Sequence, residues 1–316
     1  MALFIAGTMV IFLPRVFFSS SDVVEFKIEK GQSLGEIARL LAKDNLIISR
    51  VVFMVYARAT GQERKFQAGR YLISRSSNIW GLVNMFSHGL AISDDISVVI
   101  PEGTNVADID KIFSKTGLTR VGDLLAVGAL QKEGYLFPDT YKFNTEDKPT
   151  AVEIIKVLED NFNKKNEKLI RSIAGDRFKK AIIVASILEK EVKTEYDMRL
   201  VAGIIEKRLS LRMPLQVDAV VAYGVCYPKF ELKKYCDVSL ANIVDNLNLS
   251  SGYNIYRKTG LPPAPISNPG SKAIRASLNP QRSDYLYYLT AKNGVTIFSK
   301  TSAEHQRNRK IYLNLY

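Results

Sequence analysis

The sequence predicts an α+β fold with more than one region, and three observations lead to this fold class and organisation. Strand-like segments with glycine turns are followed by amphipathic helical segments in several parts of the chain. The length of 316 residues is enough for two domains, and 47% hydrophobic with 24% charged residues is typical of globular proteins. The first residues are far more apolar than those that follow. We therefore expect an N-terminal segment at 1–18, a small region at 22–100 and a larger mixed α/β domain at 101–316.

The N-terminal segment is best interpreted as a membrane anchor. Residues 2–13 include one polar residue, Thr8, and apolar residues resume at 16–18. This run is shorter than the ~20 residues that a spanning helix needs, so a signal peptide and a buried first helix are the alternatives. No small-residue cleavage site follows, because Phe17 and Phe18 occupy the place where one would be needed. With an anchor, the rest of the chain is expected to be exported.

A short unit occurs twice, first at 26–37 and again at 98–109. Each copy has the pattern of a strand, a glycine turn, a polar helix cap and an amphipathic helix. In the first copy Ser33 and Glu36 have the spacing of a capping box. The pattern resembles LysM modules, which bind N-acetylated sugars, although a plain packing unit explains the same apolar positions. Trp80, between the copies, is expected in the core.

Capping and turn signals mark further elements of the larger domain. Thr150 and Glu153 have capping-box spacing ahead of an apolar helical face. Asn293 and Gly294 separate two strand-like runs, which predicts a hairpin. Ser302 then begins a last helix.

The stretch from Phe178 to Val192 predicts a buried helix with acids at its C-terminal end. Apolar residues surround most of this helix as far as Leu188. Glu189 continues the apolar face, whereas Glu191 points about 200° away around the helix axis. Loss of water and the negative end of the helix dipole should both raise the pKa of Glu189 into the range of a general acid. The alternative is a solvated helix end with no catalytic role.

Polar residues of two later segments are candidates for holding a polyhydroxylated ligand. Gln216 and Asp218 are expected on one side of an extended segment. The run from 260 to 270 contains four prolines and two glycines, which predicts a stiff, shaped loop. The candidate binding residues are Gln216, Asp218, Tyr253, Asn254, Tyr256 and Asn268.

Cysteine and histidine usage limits the chemistry of the chain. Cys226 and Cys236 lie ten residues apart and could form a disulfide in an oxidising compartment, or remain two unpaired thiols. The chain has two histidines, His88 and His305, and neither has metal-ligand spacing around it. We therefore expect no metal and no cofactor.

The net charge of +12 raises the question of nucleic-acid binding. The 44 basic residues are scattered and no aromatic-basic recognition motif accompanies them. Solvated surface charge is the better interpretation, so no nucleic-acid partner is expected.

Taken together, several segments resemble the YceG-like family of endolytic murein transglycosylases. The resemblance runs from about residue 22 to the end, and its joint pattern is specific although each segment alone is modest. The matching segments are Glu133–Tyr141, Ala185–Glu191, Val201–Gly203, Arg208–Leu209, Leu215–Gln216 with Asp218, Tyr253–Tyr256, Gly260–Gly270 and Phe298–Thr301.

The resemblance implies a single-pass protein of the bacterial inner membrane with a LysM-like region and a periplasmic catalytic domain. Its substrate would be nascent peptidoglycan strands, cleaved at the MurNAc–GlcNAc β-1,4 bond to leave 1,6-anhydroMurNAc ends and stop elongation. Peptidoglycan synthases are expected as neighbours. The family's catalytic glutamate, taken as the first acid of the Ala-Ser-Ile-x-Glu-Lys-Glu motif, falls on Glu189.

This chemistry needs a single acid. The muramic C6 hydroxyl is its own nucleophile, so the glutamate protonates the leaving oxygen and then accepts the hydroxyl proton. A non-catalytic peptidoglycan-binding scaffold and a hydrolase that uses water are the alternatives.

Overall fold

The computed structural model describes residues 22–92, 95–145 and 148–313. The chain divides into two compact units, one ending at Asp94 and the other beginning at Asp95. Helices and strands occur in both, which confirms the α+β class. None of the described helices combines the length and apolar character needed to cross a bilayer, and the predicted anchor at 1–18 lies outside the described residues.

Over residues 22–92, the first unit is a small two-stranded sheet packed with three α-helices. In chain order its elements are β1 (Val23–Ile28), α1 (Leu34–Lys43), α2 (Arg50–Ala59), a 3₁₀ turn (Glu63–Lys65), β2 (Gly69–Ser74) and α3 (Ile79–Ser87). The strands are antiparallel, with Phe26 opposite Tyr71. Phe26, Tyr71 and Phe86 meet in the core, where the rings of Tyr71 and Phe86 lie edge to face at 4.9 Å. Trp80 is 50% exposed, so its expected burial is wrong.

The second unit is larger and mostly helical. Its helices are α4 (Val106–Lys115), α5 (Asp123–Ala126), α6 (Ala151–Ser172), α7 (Gly175–Glu191), α8 (Glu195–Ser210), α9 (Asp218–Glu231), α10 (Ser271–Leu278) and α11 (Ser302–Leu313). Its strands are β3 (Asp95–Val99), β4 (Thr140–Asn144), β5 (Tyr287–Thr290) and β6 (Thr296–Ser299). β3 pairs with β4, and β5 pairs with β6, both antiparallel. Because β3 pairs with β4, this unit begins earlier than the expected boundary at residue 101.

The repeated segments form the same local structure in the two units. In the first copy Gly31 has a φ of +82° and Ser33 caps α1, completing the capping box with Glu36. In the second copy Gly103 has a φ of +77°, and the Asn105 side chain accepts a hydrogen bond from the Asp108 N–H at the start of α4. A left-handed glycine followed by a polar cap turns each strand directly into a helix.

α7 lies in the core of the second unit and brings its acidic end to the surface. Ile182, Ala185 and Leu188 have no solvent exposure, as the apolar pattern predicted. Ser186 is also buried, and its hydroxyl accepts a hydrogen bond from the Ile266 N–H at 3.1 Å. The helix is thereby tied to the proline-rich loop before it ends at Glu191.

One predicted element takes a different form. The segment from Asp218 onward is helical rather than extended, and α9 continues through Pro228 to Glu231. Gln216, just before the helix, has a left-handed φ of +53°. This bend ends the preceding segment and lets α9 begin at Asp218.

Candidate active site

A cavity of about 600 Å³ in the second unit gathers several predicted site residues. Gln216, Asp218 and Tyr256 all line it, although the first two belong to a bend and a helix start rather than to a strand. The glutamate that lines this cavity with them is Glu191, and Glu189 is not among its lining residues. The candidate binding residues Gln216, Asp218 and Tyr256 therefore lie in the same cavity as Glu191, the second acid of the Ala-Ser-Ile-x-Glu-Lys-Glu motif.

Glu191 is the last residue of α7, and burial dominates its electrostatics. Loss of water raises the pKa of its carboxyl to about 7, and the negative charge of Asp218 acts in the same direction. A hydrogen bond from the Tyr288 hydroxyl opposes part of that shift. At neutral pH a substantial fraction of Glu191 therefore carries a proton, as a general acid must.

Asp218 and Tyr256 form a pair across the cavity wall. The Tyr256 hydroxyl donates a short hydrogen bond to Asp218 Oδ1. The Gln216 N–H donates to the Ile255 carbonyl oxygen at 3.1 Å, so the bend before α9 runs beside the segment that carries Tyr256. These contacts hold an exposed carboxylate and a tyrosine ring together at the mouth of the site.

Arg208 also lines the cavity, and sequence reasoning did not assign it a role in the site. The residue is 6% exposed, and its guanidinium donates to the carbonyl oxygens of Leu286 at 2.8 Å and Leu215 at 2.6 Å. It also lies over the Tyr287 ring, 4.9 Å from the ring centre. His305 also lines the cavity, and its ring stacks on the Tyr287 ring with the ring centres 5.2 Å apart.

Only weak sequence signals indicated that Arg208, Tyr287 and Tyr288 belong to the site. Arg208 lay within the resemblance, and the tyrosines at 287 and 288 fitted the strand pattern of a hairpin. The hairpin itself is present, with Thr290 paired to Thr296. A strand pattern does not show that Tyr287 and Tyr288 line a cavity with Glu191, because that depends on packing against α7 and α8.

Glu189 has a different environment from Glu191. Its side chain is half-buried, and its Oε2 accepts a hydrogen bond from the Gly270 N–H at 3.0 Å, at the start of α10. Burial raises its pKa, as expected, and the nearby negative charge of Glu102 adds to the effect. The Gly103 Cα lies close to Glu189, since a Cβ there would come within 3.2 Å of Glu189 Cγ. Glu189 thus contacts the second copy of the repeated motif.

Asn268 is completely buried and connects three loops, so it does not face a ligand as expected. Its Oδ1 accepts hydrogen bonds from the N–H groups of Gly134 and Leu136, each at 2.9 Å. Its Nδ2 donates to the Thr104 carbonyl at 3.0 Å and to Glu133 Oε1 at 2.9 Å. The amide therefore holds the Glu-Gly-Tyr-Leu segment, the repeated motif and the proline-rich loop in register.

Tyr253 and Asn254 also lie away from the cavity around Glu191. Asn254 is 1% exposed, and its Nδ2 donates to the carbonyl oxygens of Leu247 and Leu249, so it shapes the preceding loop. Tyr253 is 4% exposed and lines a second cavity. Sequence position next to Tyr256 suggested a shared site, but the turn at 253–256 sends the two rings into different cavities.

Cys226 and Cys236 form a disulfide, with their Cα atoms 5.5 Å apart. Among residues 22–92, 95–145 and 148–313, no group of histidine, cysteine, aspartate and glutamate side chains is arranged to hold a metal ion. The side chains that line the cavity around Glu191 include carboxyl groups, tyrosine hydroxyls, the His305 imidazole and the Arg208 guanidinium.

Comparison with known proteins adds independent information. The model of the YceG-like family matches residues 26–311. The chain is 29% identical over 324 residues to the endolytic murein transglycosylase of Bacillus subtilis (strain 168), covering 93% of this chain and 86% of that protein. It is 25% identical over 336 residues to the protein of the same name from Streptococcus pneumoniae serotype 2, covering 94% of this chain and 59% of that protein.

The comparison extends to a solved structure. The crystal structure of a YceG-like protein from Listeria monocytogenes, at 2.6 Å, matches with a TM-score of 0.55 and 26% sequence identity. The match covers 90% of this chain and 99% of that one.

Proposed function

This chain belongs to the YceG-like family, and we propose that it is an endolytic murein transglycosylase. It cleaves the MurNAc–GlcNAc β-1,4 bond within nascent peptidoglycan strands, leaves 1,6-anhydroMurNAc ends and so stops strand elongation. The names of its relatives in Bacillus and Streptococcus support this substrate and reaction.

The single observation that carries the proposal is the position of Glu191. This acid lines the cavity with Asp218, Gln216 and Tyr256, and burial raises its pKa to about 7. A neutral carboxyl next to a fixed carboxylate is the arrangement that lets one group give a proton while the other favours positive charge on the sugar. We therefore assign Glu191 the role of general acid, in place of Glu189.

The reaction then follows from one carboxyl group. Protonated Glu191 donates its proton to the oxygen of the leaving GlcNAc. The muramic C6 hydroxyl attacks C1 of its own ring, and the Glu191 carboxylate takes the hydroxyl proton. Asp218, held by the Tyr256 hydroxyl, lies where its charge favours the oxocarbenium-like transition state. No water takes part, so the new end is an anhydro sugar.

Glu189 is the alternative acid, which the motif comparison favoured. Its raised pKa supports that role. Against it, its carboxylate is hydrogen-bonded to the Gly270 N–H and lies close to Glu102. These contacts suit a residue that joins α7 to the repeated motif and to α10.

The location of the chain and the role of its first unit are part of the proposal. An anchor at 1–18 would place the catalytic unit in the periplasm beside the inner membrane and the peptidoglycan synthases. The first unit would contact glycan as a LysM-like region. The half-exposed ring of Trp80 and the capped turn between β1 and α1 support that role.

The experiment that tests this function is incubation of the protein with purified, uncrosslinked glycan strands in ¹⁸O-labelled water. Mass spectrometry of the fragments should show new anhydro ends that lack the label. Labelled reducing ends would identify a hydrolase, and the absence of new ends would identify a scaffold. Either result would contradict the proposal.

A further inference from the structure

A second cavity, of about 350 Å³, lies in the same unit, and we propose that it binds another sugar of the same glycan strand. The choice of an N-acetylhexosamine ring as ligand rests on the proposed function. Half of the residues that line the cavity carry ring side chains, namely Tyr135, Tyr223, Tyr227, Tyr253, Pro263 and Pro265.

The wall has the chemistry of a pyranose-binding surface. The ring centres of Tyr223 and Tyr253 lie 5.2 Å apart, and those of Tyr227 and Tyr253 lie 5.1 Å apart, with the ring planes tilted by 58° and 40°. Tyr227 and Tyr253 each combine an apolar ring face with a hydroxyl that no protein group engages, whereas the Tyr223 hydroxyl donates to Glu133. A pyranose ring has the same division, with apolar C–H faces and hydroxyl groups around its edge. A cavity of this volume accommodates one such ring rather than a longer fragment.

Unpaired hydroxyl groups point to a polar ligand. In the described part of the chain, the hydroxyls of Tyr135, Tyr227 and Tyr253 have no protein hydrogen-bond partner, and none of the three is fully shielded from solvent. The hydroxyl and acetamido groups of a sugar would provide the missing partners.

Glu133 is a buried acid beside the cavity, and its carboxyl oxygens already accept hydrogen bonds from protein groups. Glu133 accepts hydrogen bonds from the Val106 N–H, the Tyr223 hydroxyl and the Asn268 amide, at 2.9 to 3.0 Å. With these contacts in place, the residue supports the wall and has no role as a second reacting acid. The cavity is therefore a binding site and not a second catalytic centre.

Residues of α7 and α9 line both cavities, so their positions along these helices give a minimum distance between the cavities. On α7, Ile183 lines the second cavity and Glu191 the first. On α9, Tyr227 lines the second and Asp218 the first. At about 1.5 Å per residue, these spacings are roughly 12–14 Å along the helix axes. These spacings are a minimum separation, so a sugar in the second cavity is at least one ring away from the reacting bond.

This placement gives the second cavity a role in selecting long strands. A strand that ends between the reacting bond and the second cavity cannot fill both cavities, whereas a strand that continues past the second cavity can. Occupation of the second cavity would add binding energy for bonds that lie away from that end of the strand, as endolytic cleavage requires.

The test measures binding of a purified peptidoglycan octasaccharide to full-length protein carrying Glu191→Gln, which leaves the strand uncut. In that background Tyr227→Ala removes one stacking ring, and Ala264→Leu obstructs the half-exposed rim of the second cavity. Both changes should raise Kd about ten-fold. Tyr196→Ala is the matched control, because this tyrosine is 62% exposed and lines neither cavity, and it should leave Kd unchanged.

An unchanged Kd in both cavity variants, with tight binding by the parent, would overturn the second site and leave the proposed function intact. Absence of binding by the parent itself would contradict the proposed function as well. Urea unfolding shows whether Tyr227→Ala is folded, and if it is not, Ala264→Leu decides.

Discussion

Glu133 and Glu191 both have a raised pKa because of burial, yet they differ in what surrounds them. The Glu133 carboxyl, with a pKa of about 8, is 3% exposed and is enclosed by three protein donors. The Glu191 carboxyl, with a pKa of about 7, faces a cavity that also contains Asp218. A shifted pKa alone therefore does not identify a catalytic acid. Both acids line a cavity, but three protein donors occupy the Glu133 carboxyl, whereas Glu191 shares its cavity with Asp218.

The raised pKa of Glu191 predicts a pH-dependent effect of Glu191→Gln on stability. The folded-state pKa of about 7 exceeds the unfolded value of about 4.5. Between these values the folded protein holds more protons, so its stability falls as pH rises through this window. Glutamine does not ionise, so Glu191→Gln removes this loss of stability. The free energy of unfolding of the variant should exceed that of wild type by about 1–3 kcal/mol at about pH 8, and by much less at about pH 5.

Urea unfolding at the two pH values measures this difference. Glu206→Gln is the control, since Glu206 lies exposed on α8. An equal effect of Glu191→Gln at both pH values would show that this carboxyl is not held in its neutral form.

Asn268→Ala should destabilise the second unit by about 3–5 kcal/mol. The change leaves the N–H groups of Gly134 and Leu136 and an oxygen of Glu133 without their partner in a buried region. Chemical denaturation measures the effect, with Asn163→Ala on the exposed face of α6 as a control near zero. A loss below about 1 kcal/mol would mean that water reaches these groups.

The structural role of Asn268 could not be predicted from the sequence. An asparagine in a proline-rich loop fits a surface that meets a ligand. Its partner Glu133 is 135 residues away in the chain, and so the burial of both depends on tertiary packing. Local sequence patterns do not show which distant residues pack against each other.

At the level of elements, α7 was predictable and α9 was not. The apolar residues of α7 recur around most of its circumference as far as Leu188, and this length favours a buried helix. The run from Val220 to Tyr223 is short and apolar, a pattern that fits a buried strand equally well. The left-handed bend at Gln216, which separates α9 from the preceding segment, has no sequence signal because glycine is absent there.

The disulfide stabilises the connection that follows α9. It joins Cys226 within the helix to Cys236, and the adjacent Tyr235 hydroxyl donates to Asp108 Oδ1 at 3.1 Å, on α4. We expect Cys236→Ser to lower the free energy of unfolding by about 2–3 kcal/mol, because the unfolded chain regains the freedom of a short closed loop.

Urea denaturation with and without a reductant tests the disulfide. Reductant should shift wild type to the midpoint of the variant and leave the variant unchanged. A wild-type midpoint that does not respond to reductant would contradict a stabilising bond in solution.

Across the whole molecule, the repeated motif has two different uses. The sequence likeness predicted the same strand, turn and helix in both copies, and both have it. The first copy belongs to the small unit and the second begins the large one. The second copy brings Gly103 against Glu189. The likeness between the copies does not predict this contact, because it depends on packing against α7, which belongs to the second unit.

The central claim is that Glu191, rather than Glu189, supplies the proton for glycan cleavage. The most direct measurement compares the yield of 1,6-anhydro ends from uncrosslinked strands, by mass spectrometry, for folded Glu191→Gln and Glu189→Gln proteins. We expect Glu191→Gln to lose about 10²–10⁴-fold in rate, as removal of a general acid does, and Glu189→Gln to keep most of its activity. Full activity of Glu191→Gln together with loss of activity in Glu189→Gln would contradict the account.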